Sequence, residues 1–125
     1  MKPYEFEQLV CDHYRQKGYR VQTTSASNDY GIDVFAEKKG EKIAVQVKMY
    51  GGSTRKVNRQ TMMELYGAAA YFDCTKAVLA TDGEVLTDAK EVAHKLGIDI
   101  LFIQPDRKIS MPSASSAEWS LADII

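Results

Sequence analysis

Two short runs of alternating side chains, joined by a charged turn, constrain this chain more than any other stretch. In Ile32-Asp33-Val34-Phe35-Ala36-Glu37, the residues Ile32, Val34 and Ala36 share one parity, and Asp33, Phe35 and Glu37 the other. The second run sets Ile43, Val45 and Val47 against Ala44, Gln46 and Lys48. A period of two marks a strand, because successive Cβ atoms point to opposite faces of a sheet. Lys38-Lys39-Gly40-Glu41 supplies the turn between them, with Gly40 free to take a positive φ. The pair is expected to form a β-hairpin.

Sheet interiors favour apolar neighbours, so an amide and an ammonium two residues apart on one strand face are poor packing. Gln46 and Lys48 share such a face. With a register that turns Asp33 the same way, a carboxylate, an amide oxygen and an ammonium converge on one small volume. That set suits a divalent metal ion and a phosphate. The competing reading is an ordinary strand-end aspartate beside an exposed edge carrying Gln46 and Lys48.

Gly31-Ile32-Asp33, then about a dozen residues, then Gln46-Val47-Lys48 on a strand resembles the Mrr-type branch of the restriction-endonuclease-like nucleases. That superfamily carries an Asp followed by (Asp/Glu)-x-Lys, and this branch commonly has Gln in place of the acidic residue. The similarity runs from Tyr4 to about Ile103, and Asp33, Gln46 and Lys48 match motif positions directly. Glu7, in the Phe6-Glu7 pair of the first helix, matches the branch's helix glutamate. The resemblance implies an α/β, restriction endonuclease-like fold: a central mixed β-sheet of about five strands flanked by helices. It also implies a DNA endonuclease dependent on Mg²⁺ (or Mn²⁺), with Asp33, Gln46 and the Val47 backbone carbonyl as metal ligands. Asp33, Gln46, Lys48 and Glu7 would then be its catalytic residues.

At 125 residues the chain is long enough for one domain with its own core. Cys11 and Cys74 are far apart and read as small hydrophobes rather than as a disulfide or metal pair. No apolar run reaches membrane-spanning length, and the polar N-terminus has no signal-peptide character, so the cytoplasm is the expected compartment. The formal net charge of −1 gives no global sign of nucleic-acid binding. Its distribution does. Lys38, Lys39, Lys42, Lys48, Arg55, Lys56 and Arg59 face only Glu41 within their segment, a local +6 against −7 elsewhere. Arg55, Lys56, Arg59 and Gln60, together with Lys48, are the expected DNA contacts; Lys38 and Lys39 read equally well as a solvated turn.

From the N-terminus, Pro3 opens a helix in which Phe6, Leu9, Val10, His13 and Lys17 follow helical spacing, with Gly18 at its end. Glu7 lies beside that stripe, where a site role and an exposed helix position are both open. Tyr19 to Thr23 alternates as a first strand. The polar loop 24–31 follows, in which Asp29 is either an Asx-turn residue or an outer ligand. Met49 to Thr54 reads as a flexible connection. Val57 to Phe72 is a long helix with Asn58 at its cap, and Ala68-Ala69-Ala70 suggests close packing on the sheet. Lys76 to Thr81 is a strand buried on both faces. Thr87 caps a further helix ending at Gly97, and Ile98 to Ile103 is the last strand. The alternation of strand and helix after Ile43 predicts parallel pairing. Residues 1–104 form the expected nuclease domain. Residues 105–125 form a tail in which a short helix, Glu118 to Ile124, docks on the domain or on a partner.

The main alternative to an endonuclease is a non-catalytic DNA-binding module on the same fold, against which the full Asp, Gln, Lys set argues. A small-molecule enzyme on an α/β sheet lacks its phosphate loop here, since no GxGxxG or Walker sequence occurs. Cutting both strands of DNA implies two copies of a single-site nuclease, hence a homodimer. The family's usual separate recognition domain has no counterpart segment here, so methylated DNA, a branched structure, free ends and a target chosen by a specificity-conferring partner protein all stay open.

Overall fold

The structure is a computed structural model in which residues 1–24 and 30–104 are described. Its elements in chain order are α1 (Pro3–Gln16), β1 (Arg20–Thr23), β2 (Val34–Lys38), β3 (Glu41–Lys48), β4 (Lys56–Val57), α2 (Arg59–Tyr71), β5 (Lys76–Thr81), β6 (Glu84–Val85), α3 (Thr87–Leu96) and β7 (Asp99–Phe102). Five strands form one mixed sheet in the order β1-β2-β3-β5-β7. The first two pairings are antiparallel and the last two parallel. The fold is thus α/β, a mixed five-stranded sheet with three helices. Among the described residues no helix is long and apolar enough to cross a membrane.

The hairpin forms as its alternation requires, with Lys38 opposite Glu41 and Gly40 at φ 77° in the turn. Parallel neighbours need a crossover, and α2 and α3 provide two: β3 leads through α2 to β5, and β5 through α3 to β7. Each strand thereby divides its side chains between two cores. Val34, Ala36, Ile43, Val45, Val78, Ala80 and Leu101 meet Phe6, Val10, Cys11 and Tyr14 of α1. On the other face Phe35, Ala44, Leu79 and Ile100 meet Met62, Leu65, Ala68 and Ala69 of α2 and Ala89 and Ala93 of α3. Both cysteines are free thiols; Cys11 is buried and Cys74 half-buried.

Several local expectations shift. The buried stripe of α1 is Phe6, Val10, Cys11 and Tyr14, while Lys17 is exposed at the C-cap. His13 sits at the stripe's edge, its ring edge-on to Tyr14 at 4.9 Å. Spacing alone could not choose among neighbouring stripes on so short a helix. Val57 belongs not to α2 but to β4, which pairs in parallel with β6 as a separate two-stranded sheet. Asn58 does cap α2, accepting from the Thr61 N–H at 3.0 Å. The N-cap of α3 is Leu86, one residue before Thr87. Of the three alanines, Ala68 and Ala69 are buried and Ala70 is exposed. Asp29 and the tail 105–125, with its expected helix, lie outside the described residues.

Candidate functional site

Asp33 is where β2 leaves the sheet, and that departure shapes the site. In a regular ladder the Val47 N–H would meet a carbonyl from the neighbouring strand. Here the Asp33 carboxylate takes that place, its Oδ2 accepting from Val47 N at 2.7 Å. The Asp33 N–H bonds the Val45 carbonyl at 2.8 Å, one residue out of the register kept by Val34 and Val45. Such an offset marks a bulge, which re-aims side chains at a strand end. Ile32 accordingly packs with Phe35 on the α2 side rather than with Val34 and Ala36, against the parity of the sequence. The Thr24 hydroxyl donates to the Ile32 carbonyl and holds the departing segment.

The electrostatics place two further charges at that carboxylate. Burial raises the Asp33 pKa, opposed by the Val47 N–H bond and then by the Lys48 ammonium. Glu7, half-buried on α1, is raised by burial and next by the negative charge of Asp33. The charge of Asp33 is thus felt by Glu7 of α1, and the charge of Lys48 at the end of β3 is felt by Asp33. Burial and like charge both disfavour ionised carboxylates, and a cation would relieve both.

Gln46, on the strand parity of Lys48, lies on the α2 face of β3, opposite the face that α1 covers. It is only 8% exposed, and its Oε1 is the one buried side-chain polar atom among the described residues with no hydrogen-bond partner. A buried acceptor left unmade costs about 1–3 kcal/mol, so this oxygen is open to a donor or cation that the described residues do not supply. Its Nε2 lies 3.0 Å from where a Cβ on Gly31 would stand, and Gly31 has a φ of 86°. A side chain at residue 31 would press on this amide and strain the turn. The Asp33 carboxyl and this orphaned amide oxygen are hard donors of the kind a divalent cation takes, while among the described residues no group of three or more His, Cys, Asp and Glu stands together to hold a metal by itself.

The segment after β3 is pinned rather than free. Gly51 N donates to Asp82 Oδ1 at 2.8 Å, and a Cβ on Gly51 would lie 2.5 Å from Asp82 Oδ2. Gly83 is equally tight against Tyr50. Thr81, fully buried, donates from its hydroxyl to the Lys48 carbonyl at 2.7 Å and accepts from Gly83 N at 3.0 Å. Sequence reasoning missed Tyr50, Thr81 and Asp82 as supports of this strand end. The usable signal was a lone Thr ending an apolar strand, followed by Asp-Gly.

The basic segment divides into two groups. Lys38 Nζ donates to the Lys17 carbonyl at 3.0 Å, and Lys42 Nζ to the Phe72 carbonyl at 2.9 Å, at the hairpin end of the sheet. Seven steps of about 3.3 Å, roughly 23 Å, separate Glu41 from Lys48 along β3. Lys48, at the far end of β3, is the cation whose charge acts on Asp33. The Tyr50 ring carries Arg55 at 4.5 Å and Lys48 at 5.9 Å from its centroid, linking these two cations. Lys56 pairs with Glu84 at 3.6 Å and Arg59 with Asp88 at 2.9 Å, while Gln60 donates to Glu64 at 3.1 Å.

Comparison with known proteins bears on this geometry. Residues 1–108 match the family Mrr_cat, described as restriction endonuclease. An uncharacterized protein, y4cE of Sinorhizobium fredii, is 34% identical over 98 residues, covering 70% of this chain and 25% of that protein. A UPF0102 protein of Aquifex aeolicus is 39% identical over 49 residues, 38% of this chain and 48% of its own. The chain thus spans a quarter to about half the length of these relatives. Among solved structures, a repair endonuclease from Pyrococcus abyssi superposes with a TM-score of 0.64 at 15% identity, over 84% of this chain and 48% of that one. That last likeness is one of fold.

Proposed function

We propose, from the premise that this chain belongs to the Mrr-type restriction endonuclease family, that it is a divalent-metal-dependent DNA endonuclease hydrolysing phosphodiester bonds. The observation that carries the reading is the orphaned Gln46 Oε1, buried on the strand that holds the Asp33 carboxylate through Val47 N. Asp33, Gln46 Oε1 and the Val47 backbone carbonyl would hold Mg²⁺ or Mn²⁺, with Glu7 adding negative charge from α1. Bound there, the ion supplies Lewis-acid polarisation of a phosphate and a more acidic water.

The chain's own residues do the rest. Lys48, whose charge acts on Asp33, would orient the attacking water with its ammonium and stabilise charge developing on the phosphate. Thr81 holds the Lys48 backbone, so that ammonium extends from a fixed point. Arg55 lies across Tyr50 and extends the positive surface along the path a DNA strand would take. The match to a restriction endonuclease family over residues 1–108 supports DNA as the substrate, and two copies acting together would account for double-strand cutting.

The decisive experiment incubates purified protein with supercoiled, linear and branched DNA, with and without Mg²⁺ or Mn²⁺. Cleavage of at least one form, abolished by EDTA, is the expected result. Binding without cleavage of any form under either metal would leave a DNA-binding module instead.

Two further results are expected. Arg55→Ala should reduce the slope of log affinity against log salt by about 1, because one phosphate is no longer neutralised. Lys56→Ala and Arg59→Ala should change it less, since each cation first has to leave Glu84 or Asp88. Those exposed pairs are worth only ~0–1 kcal/mol, so DNA can compete for them. Equal slopes in Arg55→Ala and the parent would put the DNA path elsewhere. Gln46→Glu restores a carboxylate, so half-maximal cleavage should need about tenfold less Mg²⁺. An increased metal requirement would exclude Gln46 as a ligand.

A further inference from the structure

On the α2 side of Gln46 lies a cleft of about 630 Å³, lined by Tyr30, Gly31, Gln46, Glu64, Gly67, Ala68 and Tyr71. Its volume falls in the ~300–1,000 Å³ range of small-molecule pockets. Two aromatic rings stand at its mouth although both are largely exposed, Tyr30 at 64% and Tyr71 at 67%. Their centroids are 5.2 Å apart, and Phe72 backs both of them, 6.0 Å from Tyr30 and 5.0 Å from Tyr71. The turn that aims Tyr30 there is strained. Tyr30 has a φ of 55° and Gly31 of 86°, two successive left-handed residues, the first carrying a bulky side chain. The floor is flat where Gly67 and Ala68 of α2 face it, and a Cβ on Gly67 would meet nothing within 4 Å.

The cleft's chemistry selects a planar, neutral group. No Lys or Arg is among its lining residues, and Glu64 contributes a carboxylate, so phosphate is disfavoured inside it. Aromatic faces over a smooth floor suit a stacked heteroaromatic ring, which every nucleobase provides. Gln46 is common to this cleft and to the proposed metal site, so a base held here belongs to a nucleotide next to the phosphate under attack.

We propose that this cleft receives one unstacked nucleobase, so that the preferred substrate is DNA with an unpaired nucleotide at the cleavage point. The proposal rests on the nuclease reading for where the base comes from, but its test needs no cleavage. Affinity is measured in EDTA for a fully paired duplex and for the same duplex carrying a single-nucleotide bulge. The parent protein should prefer the bulged duplex by about tenfold, the scale of one base–aromatic stack. Tyr71→Ala should erase that preference while affinity for the paired duplex holds, and Tyr71→Phe should retain it.

Gly67→Leu should erase it too, by filling the cleft. The open space at Gly67 and the helix propensity of leucine leave the fold intact in that variant. No preference in the parent, or a preference that survives both Tyr71→Ala and Gly67→Leu, overturns the proposal. Free dAMP should not displace the bulged duplex at comparable concentration; displacement there would give the cleft to free nucleotides instead. A bulge preference without metal-dependent cleavage would sink only the nuclease reading, and cleavage without bulge preference only this one.

Discussion

Asp33→Asn is expected to lose DNA cleavage by about 1000-fold or more while retaining DNA binding. The substitution keeps the size of the side chain and an oxygen able to accept from Val47 N, the 2.7 Å bond that ties the strand end together. What it removes is the formal charge on which the proposed metal binding most depends. Binding should hold or tighten, because a negative charge facing phosphate disappears. Lys48→Ala should be comparably damaging for a different reason: the metal ligands remain, but no ammonium faces the water and the phosphate. A plasmid-nicking assay beside an electrophoretic binding assay separates these effects. Cleavage undiminished in both variants would assign the activity to another site.

Phe6→Ala is expected to cost ~3–5 kcal/mol of stability, the usual loss for emptying a fully buried aromatic position. Phe6 has no exposed surface and anchors α1 against Val34, Ala36, Val45 and Val78. A domain of this size holds about 5–15 kcal/mol in all, so the variant stands near its unfolding threshold. Urea unfolding should show a lower midpoint with an unchanged slope. Glu7 is the next residue along the chain, and a loosened α1 also withdraws its carboxylate from Asp33. Glu7→Gln is the control: it should leave the urea midpoint close to the parent's. An equal loss of stability in both would mean that Glu7 is a structural residue of α1.

Much of the architecture was legible because the dominant signals are local and periodic. The hairpin followed from strict alternation and one glycine, and the parallel half from apolar runs spaced by helical segments. Asn58 announced its helix because a side-chain acceptor satisfies an end N–H regardless of what surrounds it. Signals failed where a partner distant in sequence decides. Val57 reads as helix, yet it pairs with Val85, twenty-eight residues away. Met49 to Thr54 reads as a free connection, yet Asp82 and Gly83 hold it.

The candidate site shows the same division. By itself the sequence determined which residue types are available: one aspartate before a strand, a glutamine and a lysine on one parity, a glutamate on the first helix. It also determined that Gln46 and Lys48 share a face, since a period of two is a property of the backbone alone. Only the tertiary structure decided where Asp33 lies. A bulge broke the parity between Ile32 and Val34, and the carboxylate entered the ladder at Val47 N instead of standing on a face. It likewise decided which cations are near that carboxylate. Charges contiguous in sequence are carried along an extended strand to opposite ends of the sheet, leaving Lys48 and Arg55 at the site and Lys38 and Lys42 bound at the hairpin. The Tyr30–Tyr71 cleft has no counterpart in local sequence at all, because its walls come from a turn, a strand and a helix that meet only when the sheet is built.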